Sequence, residues 1–88
     1  MKLLIVILND PDAENVLRGL IEKGHRATRI SSTGGFLRRG NTTLLIGLEE
    51  DQVDPALEII RKHSQEPEEP GLRRATVFVL NVARFAQV

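Results

Sequence analysis

The chain has 88 residues, of which 41% are hydrophobic and 27% charged, and its formal net charge is zero. This composition is typical of a folded protein, so the sequence predicts a single domain over residues 1–88 and argues against a disordered chain. Neutrality argues against a protein that coats a nucleic acid polymer, and the lack of cysteine excludes disulfides and thiolate chemistry.

The N-terminal part of the chain predicts a strand followed by a helix. The run KLLIVIL, residues 2–8, is continuously apolar, as in a strand buried on both faces, and is too short to span a bilayer. It also lacks the cleavage site of a signal peptide, so we expect a cytoplasmic protein without membrane insertion. The helix is predicted to have Asp10 as its N-cap, Pro11 in its first position and Gly24 as its terminator. Its apolar stripe comprises Ala13, Val16, Leu17, Leu20 and Ile21.

The rest of the chain predicts three more strands and one more helix. The acidic EEDQ opens this second helix, and Arg61, Lys62 and His63 suit its C-terminal end. The predicted strands are HRATRISST (25–33), NTTLLIGL (41–48) and RRATVFVLNV (73–82). The apolar stripe of the second helix comprises Val53, Ala56, Leu57 and Ile60.

The element order β-α-β-β-α-β is the ferredoxin-like α+β plan, an antiparallel sheet with two helices on one face. Strands covered on one face should alternate apolar and polar residues, but the first and last strands are apolar on both sides. Burying one such side chain is worth about 1.5–3 kcal/mol. We therefore expect a second copy of the chain to cover the other face, in a trimer or a dimer.

The segment SSTGGFLRRGNTT, residues 31–43, is suited to binding a flat, anionic molecule. Its glycines permit several backbone amides to surround an anion, and Arg38 and Arg39 can bind phosphate oxygens. Phe36 can stack on a nucleobase, and Asn41 can read a base edge or brace the loop. The residues alone favour a wide hairpin loop with its arginines in solvent over a binding loop, and the Gly-Lys-Ser/Thr ending of a P-loop is absent.

The longer run RATRISSTGGFLRRGNTTLLIG, residues 26–47, resembles the signature of the cyclic di-AMP receptor family of PII-like signal transduction proteins. The likeness includes DQVDPALEIIRKH and ATVFVLNVARFAQV. It implies a non-enzymatic, ferredoxin-like homotrimer that binds cyclic di-AMP between subunits and signals to an effector protein. Phe85 and Gln87 match the family only loosely. The ligand-binding residues implied by the resemblance are Arg26, Thr28, Gly35, Phe36, Leu37, Asn41 and Gly47, and Arg38 is added as a phosphate contact.

One departure from the family pattern leaves an alternative open. Family members usually carry a long glycine-containing loop before the last strand, whereas this chain has only SQEPEEPGLRR, residues 64–74. The alternative is a PII-like or CutA-like trimer that binds an adenine nucleotide or a metal, or has a structural role, without affinity for cyclic di-AMP.

Enzyme, metal and RNA-binding functions are disfavoured. The fold is shared with acylphosphatase, but that family's phosphate-binding motif near the first strand is absent, and Ser31 and Ser32 have no nearby base. His25 and His63 lack partners at metal-ligand spacing, so neither a metal nor a cofactor is expected. Three phenylalanines without tyrosine or tryptophan are too few for the stacking platform of an RNA-binding sheet.

Overall fold

The computed structural model describes residues 1–31, 40–65 and 74–88, and its element order confirms the ferredoxin-like plan. A short 3-10 turn, Glu50–Gln52, leads into the second helix. Neither helix in the described ranges is long and apolar enough to cross a membrane. The elements are β1 (Lys2–Asn9), α1 (Asp10–Glu22), β2 (Ala27–Ser31), β3 (Asn41–Leu48), α2 (Val53–His63) and β4 (Ala75–Asn81).

The four strands form one antiparallel sheet in the order β2-β3-β1-β4. β1 pairs with β3 along its whole length, from Lys2 opposite Leu48 to Asn9 opposite Asn41. The sheet therefore has two distinct ends. We call the end where β1 and β2 begin the Arg26 end, after the residue that precedes β2, and the opposite end, where β3 begins, the Asn41 end.

Alternation along the strands divides core residues from an uncovered face. The side chains that point toward the helices form the buried core, together with residues from both helices. On the opposite face, which we call the open face, Phe78 is 51% exposed and Leu80 is 45% exposed. β1 and β4 thus carry apolar side chains on both faces, as predicted. In the single chain, much of the apolar surface on the open face is accessible to solvent. The core comprises Leu4, Val6, Leu8, Ala13, Val16, Leu20, Leu44, Ile46, Leu48, Ala56 and Ile60.

The start of α1 differs from the prediction by one residue. Asn9, not Asp10, is the N-cap: its side-chain oxygen accepts a hydrogen bond from the Asp12 backbone N–H at 2.9 Å. Asp10 is the first helical residue, and Pro11 occupies the second position. Both Asn and Asp are favourable caps, so residue type alone could not decide between two neighbours.

The buried side of α1 is also rotated relative to the predicted stripe. Ile21 was expected in the core but is 60% exposed, whereas Asp12 and Gly19 are buried. Gly19 lies against α2: a Cβ atom there would come within 2.9 Å of the His63 ring. This close approach of the two helices turns the opposite edge of α1, with Ile21, toward solvent. In α2 the predicted stripe is confirmed, with Ala56 and Ile60 buried and Val53 and Leu57 partly buried.

The strand boundaries are shorter than predicted where the described ranges permit a comparison. β2 begins at Ala27 rather than at His25, and β4 begins at Ala75 and ends at Asn81. His63 was expected to complement the end of α2, and its Nδ1 lies 3.0 Å from the Ile59 carbonyl oxygen.

Two adjacent threonines in β3 offer a matched test of the packing on the two faces. Thr42 is buried on the helix face and its hydroxyl donates to the Asp10 carboxylate at 2.5 Å. The Thr43 hydroxyl, on the open face, is buried and has no hydrogen-bond partner among the residues that the structure describes. We expect Thr42→Val to lower the free energy of unfolding by about 1 kcal/mol and Thr43→Val to raise it by up to about 1 kcal/mol. Urea denaturation of both variants measures the difference. A loss of stability in Thr43→Val would contradict the unpaired state of that hydroxyl.

Candidate functional site

A pocket of about 460 Å³ lies on the open face at the Arg26 end of the sheet. The strand register explains which residues meet there. Leu3 lies opposite Gly47, and Thr28 lies opposite Leu45, so all four share one face. Arg26 is two residues before Thr28 and joins the same face by alternation. The pocket is lined by Met1, Leu3, Arg26, Thr28, Leu45, Gly47, Val82, Phe85 and Gln87.

The C-terminal residues reach this pocket because β4 ends beside the start of β1. The Val82 backbone N–H donates to the Met1 carbonyl at 3.0 Å, which continues the β1–β4 pairing by one step. The tail that follows brings Phe85 and Gln87 to the pocket, and the Phe85 ring is 65% exposed. Sequence reasoning gave these two residues little weight. The register between β1 and β4 is the signal that could have found them.

Arg26 supplies an uncompensated positive charge to the pocket. In the part of the chain that the structure describes, no carboxylate forms an ion pair with it and no group accepts a hydrogen bond from it. Arg29, three residues further along in β2, differs because it points to the other face and pairs with Glu14 of α1 at 2.5 Å. A guanidinium that has no partner among the described residues, beside an apolar wall, is suited to bind an anion with a flat apolar part.

Gly47 leaves room for a ligand against the backbone of β3. A Cβ atom added at Gly47 would meet no other atom within 4 Å, so the glycine is not required by the packing of the chain. Its backbone conformation is an ordinary one, since the described glycines with positive φ are Gly24 and Gly40. The missing side chain therefore enlarges the pocket at no cost in local strain.

Asn41 lies at the far end of the same face. It is opposite Asn9 and lies six positions before Gly47 along β3. At about 3.3 Å per residue, the two positions are about 20 Å apart. The structure thus brings Arg26, Thr28 and Gly47 together and keeps Asn41 apart from them. The other predicted site residues, Gly35, Phe36, Leu37 and Arg38, lie outside the described residues.

A second groove, of about 420 Å³, lies between α1 and α2 on the other side of the molecule and includes both His25 and His63. Glu22, Glu58 and Lys62 also line this groove. Within the described ranges, however, no three histidine, aspartate or glutamate side chains are arranged to hold a metal ion.

Two comparisons with known proteins connect this geometry to a family. The sequence profile of the family described as cyclic-di-AMP receptor matches residues 1–70. The fold is also similar to that of a solved structure, "The crystal structure of a functionally unknown protein from Pediococcus pentosaceus ATCC 25745", with a TM-score of 0.77. The two sequences are 43% identical, and the match covers 99% of this chain and 96% of that one.

The open space beside Gly47 can be tested by filling it. We expect Gly47→Leu to change the free energy of unfolding by less than about 1 kcal/mol, because the new side chain enters the pocket without a clash and a strand glycine is itself unfavourable. Gly40→Leu is the matched control: its Cβ also meets open space, but its φ of +88° should cost about 1–2 kcal/mol. Thermal unfolding compares the two variants. Equal losses would contradict the assignment of Gly47 to an open pocket.

Proposed function

We propose that the chain, which belongs to the cyclic-di-AMP receptor family, binds cyclic di-AMP in a cleft between two subunits of a homotrimer. In this proposal the protein is a cytoplasmic, non-enzymatic receptor that reports the bound nucleotide to an effector protein. The proposal of a cleft between subunits rests on the distance between the two groups of proposed ligand-binding residues. Arg26, Thr28 and Gly47 occupy one end of the open face, and Asn41 occupies the other, about 20 Å away.

One chain cannot offer both groups to the same compact ligand. In this proposal the cyclic dinucleotide, a closed ring of two nucleotides, binds in a folded form with both bases on one side of the ring, which is shorter than the roughly 20 Å along β3 from Gly47 to Asn41. Contacts with both groups therefore require the Arg26 end of one chain to meet the Asn41 end of another. Such a contact joins two different surfaces of the same protein and closes into a ring under cyclic symmetry.

The Arg26 end has the chemistry to bind a phosphate and a base. The Arg26 guanidinium can form paired, charge-assisted hydrogen bonds with phosphate oxygens, and the Thr28 hydroxyl lies on the same face. The Phe85 ring offers an exposed flat surface for adenine. Gly47 allows the ligand to approach the backbone of β3.

The Asn41 end supplies the complementary half in this proposal. Asn41 directly follows, in sequence, the segment that contains Gly35, Phe36, Leu37 and Arg38. An asparagine side chain can donate to and accept from the edge of adenine, which distinguishes it from other bases. Subunit pairing would place Asn41 beside the pocket of the neighbouring chain.

The apolar open face supports an assembly of this kind. Phe78 and Leu80 of β4 are about half exposed, and Ile5 and Leu45 lie beside them on the same face with partial exposure. Contiguous exposed apolar surface is characteristic of interaction sites. A second and a third copy of the chain can cover it, and this would also bring opposite ends of neighbouring sheets together.

The ligand can be tested by isothermal titration calorimetry with cyclic di-AMP, cyclic di-GMP and ATP. We expect saturable binding of cyclic di-AMP and a loss of about 10- to 100-fold in affinity for Arg26→Ala, since a charge-assisted hydrogen bond contributes about 1.5–3 kcal/mol. Arg29→Ala, three residues further along, is the control, because it removes an arginine from the helix face, and it should bind normally. Binding of ATP alone would favour the alternative of an adenine-nucleotide trimer, and no binding at all would contradict the proposal.

The shared cleft can be tested by mixing two inactive variants. Arg26→Ala and Asn41→Ala each damage one half of every cleft, so each homo-oligomer should bind weakly. After joint refolding of equal amounts, random assortment should restore about a quarter of the clefts, those that combine the intact Arg26 end of one chain with the intact Asn41 end of another. Calorimetry gives the number of restored sites. If mixing restores none, although mass spectrometry finds mixed oligomers, both halves belong to one chain and the cleft is wrongly placed.

A further inference from the structure

Both neighbours of Asn41 are held by a single residue, Asp10. The Asp10 backbone N–H donates to the Gly40 carbonyl at 2.9 Å, and the Thr42 hydroxyl donates to the Asp10 carboxylate at 2.5 Å. The first residue of α1 therefore contacts the chain immediately before and immediately after Asn41. The backbone of Asn41 itself is opposite Asn9 at the end of the sheet.

The carboxylate of Asp10 is available for this contact because Asn9 performs the capping of α1. Asn9 accepts the hydrogen bond from the Asp12 N–H, so Asp10 is not needed for it. The carboxylate remains at the N-terminal end of α1, where the helix dipole favours a negative charge. It binds the Thr42 hydroxyl through a short, charge-assisted hydrogen bond.

Thr42 depends on this bond. Its side chain is 97% buried on the helix face, where a hydroxyl without a hydrogen-bond partner is unfavourable. The Asp10 carboxylate is the acceptor that the structure gives it. Loss of the carboxylate would therefore leave Thr42 free to rotate or shift, and Asn41 is the next residue along the strand.

Gly40 is held from the other side. Its φ is +88°, a left-handed conformation that turns the chain into β3, and its carbonyl accepts from the first N–H of α1. Because side chains alternate along a strand, Thr42 faces the helices while Asn41 faces the opposite side. Since Thr42 faces the helices and donates to Asp10, the Asp10 carboxylate lies on the helix side of the sheet, away from the open face.

We propose that Asp10 is a positioning residue for the nucleotide: by fixing Gly40 and Thr42 it holds the Asn41 side chain in the orientation that ligand binding needs. This inference rests on the proposed function, since it assumes that Asn41 contacts the ligand. It adds a residue of the helix layer to a site whose other members lie on the open face or in the segment before Asn41.

The affinity test compares variants of this contact with a neighbouring carboxylate. Asp10→Ala and Thr42→Val should each weaken cyclic di-AMP binding by about three- to tenfold, and the double variant should be no weaker than either, because all three lose the same hydrogen bond. Asp10→Asn and Thr42→Ser keep an acceptor and a donor and should recover most of the affinity. Asp12→Asn is the control: Asp12 is buried in the same helical turn, and its carboxylate accepts from Asn9 and Gln65 instead. It should lower stability and leave affinity unchanged.

A measurement without ligand separates failure of this inference from failure of the proposed function. Hydrogen exchange of the Asp10 amide, the donor to Gly40, should become about three- to tenfold faster in Thr42→Val through local opening, whereas amides in the middle of β3 should change only as the loss of global stability requires. If the wild type binds cyclic di-AMP and Asp10→Ala binds equally well, the positioning role is wrong. If the wild type does not bind cyclic di-AMP, the proposed function is wrong. If hydrogen exchange at the Asp10 amide is unchanged in Thr42→Val, the positioning of Asn41 by Asp10 is wrong, whether or not the wild type binds.

Discussion

The alternation of side chains along β3 is the constraint on which the proposed site depends. Both helices pack on one face of the sheet, so every second residue of β3 enters the core and the residues between them face the other way. Leu44 and Ile46 are completely buried, while Leu45 and Gly47 border the pocket. A shift of register by one residue would exchange the two sets and destroy core and pocket together. Selection for a stable core thus also fixes which residues are available for binding.

The antiparallel sheet determines where along the open face the binding residues lie. Since β1 and β2 begin where β3 ends, residues distant in sequence meet at the Arg26 end, and the C-terminal tail joins them through the backbone contact between Val82 and Met1. The same topology carries Asn41 to the other end. The proposed cleft between subunits follows from this separation, because contacts with both ends can meet on one ligand only when two chains are placed head to tail.

Much of this organisation could be predicted from the sequence, for physical reasons that differ between its parts. The apolar run of β1 and the heptad-like stripe of α2 are strong periodic signals, and they predicted the fold correctly. The resemblance named both Arg26 and Thr28, and alternation along the strand explains why both line one pocket. The exposure of Ile21 could not be foreseen, because it depends on how closely Gly19 and His63 bring the two helices together. The contribution of Phe85 likewise depends on long-range pairing between the two ends of the chain.

The error at the start of α1 has the larger consequence for function. With Asp10 as the cap, its carboxylate would be occupied by the helix, and nothing would connect the helix layer to Asn41. With Asn9 as the cap, the Asp10 carboxylate is available to accept from Thr42, beside the bond from the Asp10 N–H to Gly40. The Asp12 carboxylate in the same turn accepts from the Gln65 backbone N–H at 3.3 Å. The first turn of α1 therefore joins the beginning of β3 to Gln65, two residues beyond the end of α2. The backbone on either side of Asn41 is hydrogen-bonded to this turn through Asp10. A ligand that binds Asn41 would therefore be coupled to the helix layer as well as to the open face.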